Sequence, residues 1–162
     1  MKLMLIDILA VGKIKEKFIT MGSEEYMKRL SSYTRVSIRE VRDEKIPDNA
    51  SPAEEKALLE RETVRLEALI KTNTHLTAMD IQGRMFSSPE LASYLETLCT
   101  SGQSHFTFLI GGSLGLSSRL VQRADLQLSF SPMTFPHQLF RLLLLEQLYR
   151  SFKIIRGEPY HK

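Results

Sequence analysis

Two glycines stand directly after an apolar run in this chain. The run is Phe106-Thr107-Phe108-Leu109-Ile110 and the turn is Gly111-Gly112-Ser113-Leu114-Gly115. Residues without a β-carbon leave main chain bare, so a ligand can approach it closely. A second loop of similar size, Phe130-Ser131-Pro132-Met133-Thr134-Phe135, follows the next short apolar stretch. The chain then ends in Arg156-Gly157-Glu158-Pro159-Tyr160-His161-Lys162. Tyrosine and histidine can stack on an unpaired base, and arginine or lysine can hold phosphate. A bare glycine turn and a second ligand-sized loop, backed by a basic aromatic tail, describe a small-molecule cleft beside a nucleic-acid surface. Other chemistries lack their residues. The turn has neither the Gly-x-Gly-x-x-Gly pattern of a dinucleotide fold nor the Gly-Lys-Ser/Thr end of a P-loop. No Gly-x-Ser-x-Gly elbow occurs. His75, His105, His137 and His161 are scattered without metal-ligand spacing, so no metal is expected.

These residues need a frame, and the pattern along the chain supplies one. Met1–Val11 reads as a buried strand stopped at Gly12, followed by a helix over Lys13–Tyr33 with Gly22 inside it. Val36–Val41 alternates as a strand. Ser51-Pro52-Ala53-Glu54 is a capping box with proline in the first turn, and it opens a second helix. Leu76–Ile81 is a third strand closed by Gln82-Gly83, and Ser88-Pro89 opens a helix that stops at Gly102. The strand Phe106–Ile110, a short helix over Ser117–Ala124, a strand Leu126–Phe130 and a helix from Pro136 to about Ile155 complete the series. Alternating strands and helices predict an α/β fold, a mainly parallel sheet with helices on both faces. In such sheets ligands lie beyond the carboxyl ends of the strands, where both loops fall. Apolar residues nearly encircle the last helix, from Leu139 to Ile155. One side can pack on the sheet and another on a second copy, so a homodimer through this helix is expected.

Composition narrows the class further. The 162 residues suit one domain, 43% hydrophobic and 25% charged as in ordinary globular proteins. The single cysteine, Cys99, excludes an internal disulfide and reads as a buried hydrophobe on a helix. Asp7 interrupts the apolar start and no cleavage site follows. No run approaches a membrane span, so a cytoplasmic protein is expected. The net charge of +3 is unevenly placed. Residues 119–162 carry 7 Lys/Arg against 3 Asp/Glu, and residues 1–118 carry 15 against 16. That asymmetry suggests an anionic partner at the C-terminal end.

Taken in order, four segments resemble the RlmH family of SPOUT, or α/β-knot, methyltransferases. They are Phe108–Gly112 with Gly115-Leu116-Ser117, Leu128-Ser129 through Thr134-Phe135-Pro136-His137, Glu146–Arg150, and Pro159-Tyr160-His161. The resemblance spans the chain and implies a single SPOUT methyltransferase domain over residues 1–162 with a C-terminal trefoil knot. It implies S-adenosylmethionine bound at Met79, Gly111, Gly112 and the loop Phe130, Ser131, Pro132, Met133, Thr134 and Phe135. The implied reaction is methylation of N3 of a pseudouridine in 23S ribosomal RNA, in a stem-loop at the subunit interface of assembled ribosomes. The chain departs from many relatives at Ser113-Leu114, where they have Pro-Glu, and at Lys162, where they have arginine. In that chemistry His161 is the first candidate to take the N3 proton and His137 the second. Tyr160 would orient the base. Arg150 and Arg156 would grip phosphates or favour the N3 anion, with Lys162 at the RNA. The rival readings are a ribosome-binding or assembly factor with the same fold and no catalysis, and a nucleotide-binding enzyme of another doubly wound class.

Overall fold

The computed structural model describes residues 3–162, so Met1 and Lys2 of the first expected strand lie outside the described residues. Five strands form one sheet: β1 (Leu5–Val11), β2 (Arg35–Val41), β3 (His75–Met85), β4 (His105–Ile110) and β5 (Leu126–Ser129). Their order is β2-β1-β4-β3-β5 and every pairing is parallel. The helices are α1 (Lys17–Leu30), α2 (Pro52–Glu67), α3 (Ser88–Thr100), α4 (Ser118–Arg123) and α5 (His137–Ile155).

Period-two alternation decides which face each helix covers. Ile6, Ile8 and Ala10 of β1, with Phe106, Phe108 and Ile110 of β4, face the core beneath α1, α3 and α5. Leu9, Val11 and Leu109 face the other way, toward Leu66 of α2 and Leu120 of α4. α5 packs between α1 and α3. Gly22 makes the first of these contacts close. A β-carbon there would lie 2.9 Å from Leu142 Cδ2. The glycine inside the expected helix is thus an inter-helix contact rather than a break.

Helix starts follow their caps. Ser51 and Glu54 form the expected capping box, and Ser87 with Glu90 forms a second. The cap of α3 is therefore one residue earlier than the Ser88-Pro89 pair suggests, and Ser88 Oγ instead donates to Gln147 Oε1 of α5 at 2.6 Å. α1 begins at Lys17, four residues later than its periodicity implies, because Ile14 N–H donates to Glu40 Oε2 and Lys15 N–H to Gln138 Oε1. β3 does not end at Gln82-Gly83. Met79 and Arg84 both stand opposite Leu128, so residues 80–83 bulge out and the strand resumes to Met85. A β-carbon at Gly83 would sit 2.6 Å from the Gln127 carbonyl, so only glycine lets the strand return. β5 is one residue shorter than expected. Phe130 leaves the ladder to stack on Phe140 at 4.9 Å.

His75 and His105 belong to the strands that the sequence pattern starts at Leu76 and Phe106. Each opens its strand and bonds within the fold through Nε2, while the buried His75 Nδ1 has no partner among the described residues. His75 is buried against Phe106, with Nε2 2.9 Å from Tyr94 Oη. His105 Nε2 is 2.9 Å from Asp7 Oδ2, and Lys71 Nζ lies 3.1 Å from the same oxygen. Burial acts to raise the Asp7 pKa, but hydrogen bonds from Ser37, Lys71 and His105 outweigh it and hold the carboxylate below its usual range.

Candidate active site

A cleft of about 160 Å³ opens at the carboxyl ends of β3, β4 and β5. Met79 and the bulge residues Asp80 and Ile81 form one wall, and Ile110, Gly111, Gly112 and Gly115 form the floor. Phe130, Ser131, Met133, Thr134 and Phe135 form the opposite wall, with His137 and Phe140 of α5 closing the end. The expected ligand residues therefore meet in one place, joined by His137. Pro132 stands exposed at the loop tip and does not line the cleft.

Local chemistry shapes both loops. Gly115 has φ +73° and its N–H donates to the Gly112 carbonyl at 3.0 Å, closing the turn. A β-carbon at Gly111 would overlap the Gly115 carbonyl and lie 2.8 Å from Gly115 Cα. Glycine at 111 is thus required first by the turn's own packing, and the bare main chain it offers the cleft is the consequence. In the second loop Ser129 Oγ donates to the Ser131 carbonyl at 3.1 Å, and Met133 N–H donates to Ser131 Oγ at 3.0 Å. Phe140 stacks on both ends of that loop, 4.9 Å from the Phe130 ring and 6.3 Å from Phe135. The result is apolar walls with main-chain polar groups at the edges. Such a surface suits a ligand with one flat apolar part and a polar rim.

The tail forms a second cluster. Tyr160 Oη donates to Glu146 Oε1 at 3.1 Å, and its ring lies edge-on to Tyr149 at 4.9 Å. Arg150 binds the same Glu146 carboxylate at 2.5 Å and caps the Tyr160 ring at 4.7 Å. Arg150 Nη1 is 3.2 Å from His161 Nδ1. Arginine can only donate, so Nδ1 accepts and the ring proton sits on Nε2. Glu158 is held by Lys153 at 2.7 Å and by the Tyr33 hydroxyl at 2.5 Å. Burial and the contacts to Tyr26 and Glu146 push the Tyr160 phenol well above its usual value, so it stays a donor. Arg156 lies over the Tyr33 ring, and Lys162 is exposed at the end.

The structure does not bring these two clusters together within one chain. Thirteen residues of α5 separate His137 from Arg150, roughly 20 Å at 1.5 Å per residue. The sequence charge asymmetry also changes meaning. Arg119, Arg141, Arg150 and Lys153 all hold carboxylates of their own chain, so much of the excess is internal.

Two further residues carried no signal in the sequence. Arg141 is fully buried, its Nη1 2.5 Å from Glu40 Oε2 and its Nη2 donating to the Gly12 carbonyl at 2.9 Å. It ties α5 to the ends of β1 and β2 beside His137. Glu62 of α2 lies buried behind Gly112, its Oε2 accepting from Glu44 N–H at 2.9 Å. Burial raises its pKa. Only the long-range fold places either one, and a single polar residue in a helix does not announce it. Among the described residues no group of three or more His, Cys, Asp or Glu is arranged to hold a metal ion, and no helix is long and apolar enough to cross a membrane.

Comparison with known proteins agrees with the architecture. A family model described as "Predicted SPOUT methyltransferase" matches residues 4–161. A protein of Acetivibrio thermocellus named ribosomal RNA large subunit methyltransferase H is 56% identical over 159 residues, covering 98% of this chain and 100% of the relative. One of the same name from Clostridium kluyveri is 53% identical over 157 residues, covering 97% and 99%. Among solved structures, the tRNA (m1G37) methyltransferase of Aquifex aeolicus aligns with a TM-score of 0.57 at 15% identity, covering 99% of this chain and 75% of that one. A probable methylase family protein of Haemophilus influenzae aligns at 0.54 and 10% identity, covering 97% and 70%. Those two likenesses concern the fold alone. The near-full-length match and the cleft at the sheet ends together make this chain a member of the SPOUT methyltransferase family, in the group of the ribosomal RNA large subunit methyltransferases H.

Proposed function

We propose that the protein transfers a methyl group from S-adenosylmethionine to N3 of a pseudouridine in 23S ribosomal RNA, acting on assembled ribosomes. It does so as a single cytoplasmic domain over residues 1–162, with a C-terminal trefoil knot, and as a homodimer. The observation that carries the reading is the cleft itself. The residues that the resemblance assigns to the methyl donor, Pro132 excepted, converge there, on a turn whose Gly111 admits no side chain. The names of the relatives supply the RNA class.

S-adenosylmethionine supplies an electrophilic methyl group on a sulfonium. Met79, Phe130 and Phe135 would hold its apolar parts, and main chain at Gly111, Gly112 and the 130–135 loop its polar edges. In-line displacement gains chiefly from positioning, which a cleft of fixed loops provides. The acceptor N3 must lose its proton, and of the catalytic candidates His161, Tyr160, His137 and Arg150 it is His137 that lines the cleft of its own chain. Arg150 near the end of α5, and Tyr160 and His161 of the tail docked beside it, are too far from the cleft, so a partner's C-terminal end must bring them. The dimer contact falls to the outer side of α5, where Leu139, Leu143 and Ile154 are only half-buried by their own chain. His161 in its docked position offers Nε2–H as a donor. It becomes a base when Arg150 releases Nδ1, as a phosphate drawing on that guanidinium would cause.

The test is single-turnover methylation of ribosomes lacking the modification. His161→Ala lowers the rate at least about a hundredfold, while S-adenosylmethionine affinity stays unchanged. Full turnover by both His161→Ala and Tyr160→Phe removes the tail from the mechanism.

A further inference from the structure

We infer that the loop between β1 and α1, with the first residue of α1, grips RNA phosphates at the rim of the cleft, through Lys13, Lys15 and Lys17. This rests on the reading of an RNA substrate given above. The three lysines alternate along an exposed segment, and none forms an ion pair among the described residues. Glu16 is the one carboxylate within the segment, leaving it at +2. The tail is different, since Arg150 and Lys153 are already neutralised by Glu146 and Glu158.

Position supports the same conclusion. Lys15 N–H donates to Gln138 Oε1 at 2.8 Å, so the loop abuts the residue next to His137. A β-carbon on Gly12 would lie 4.0 Å from His137 Nε2. The loop is also held firmly. Glu40 Oε2 accepts from Ile14 N–H at 3.0 Å and is itself held by the buried Arg141, which also binds the Gly12 carbonyl. Burying a guanidinium is costly. Here that cost fixes main chain whose side chains are otherwise free, as a preorganised phosphate contact requires. Besides Glu40, which Arg141 holds, Asp43 lies near the turn. Its Cγ is 3.8 Å from where a β-carbon on Gly12 would lie, and it forms no ion pair with these lysines among the described residues.

Three proteins test this: wild type, a triple Lys→Gln variant at 13, 15 and 17, and a triple Lys→Arg variant. Ribosome binding is measured against salt concentration, with S-adenosylmethionine titration as the check on the cleft. Lys→Gln is expected to weaken ribosome binding at least tenfold and to flatten the log–log salt slope by about 2. It raises KM for ribosomes with kcat and donor affinity unchanged, and Lys→Arg restores binding. A Lys→Gln variant with wild-type affinity and slope overturns the loop assignment, as does equal loss of donor binding. Wild type that neither binds nor methylates ribosomes overturns the function itself.

Discussion

At the scale of single residues, the glycines separate cleanly by what a β-carbon would meet. At Gly111 the obstacle is main chain, which cannot yield, whereas at Gly22 it is the tip of Leu142, which can rotate. Gly111→Ala is therefore expected to cost about 1–3 kcal/mol and abolish donor binding. Gly22→Ala gains helix propensity and stays within about 1 kcal/mol of wild type. Denaturant melts with donor titrations read both. His75 sets a pH dependence. Burial holds its pKa below the ordinary histidine value of 6.5, so the unfolded chain binds the proton more readily. Its contribution to stability is complete above that value and is lost as pH falls toward the folded pKa. Urea midpoints measured from about pH 7.5 down to about pH 5 should fall less in His75→Gln than in wild type. An equal fall in both would place the acid sensitivity elsewhere.

At the scale of elements, the strands and helices were legible because their signals are local. Ser51-Pro52-Ala53-Glu54 is a cap wherever it occurs, and the alternation in Val36–Val41 needs no partner to be read. That the glycine turn and the 130–135 loop share one side of the sheet was equally legible, once parallel strands put their carboxyl ends there, whereas Met79 entered only through the family resemblance. What stayed hidden depends on contacts across the chain. The bulge at 80–83 exists because Leu128 pairs twice. The late start of α1 depends on Glu40 and Gln138. Arg141 looks like any charged helix residue until β1 and β2 close over it. Phe140 belongs to this second class. It reads as one more apolar residue of α5, yet it stacks on both ends of the cleft loop. Phe140→Ala should raise the S-adenosylmethionine Kd about tenfold, more than its loss of about 2 kcal/mol of stability would suggest for a distant core site. Unchanged donor affinity would leave Phe140 a core residue only.

For the whole molecule, the proposed function divides one chemical task between two places. The cleft sits at the start of α5 and the tail near its end, so a lone chain holds the proposed donor site and the proposed base-handling residues roughly 20 Å apart. A second copy across the outer side of α5 would bring tail and cleft together, and it would also cover Leu139 and Leu143. Mixed dimers test this division most directly. One chain carries Gly111→Ala, which disables its cleft, and the other carries His161→Ala with Tyr160→Phe, which disables its tail. Each is assayed for methyl transfer to ribosomal RNA alone and after mixing. A site shared between chains predicts little activity from either variant alone and recovery to about a quarter of wild type in an equal mixture, from random pairing of the chains. No recovery in mixtures verified to contain the mixed dimer would contradict it.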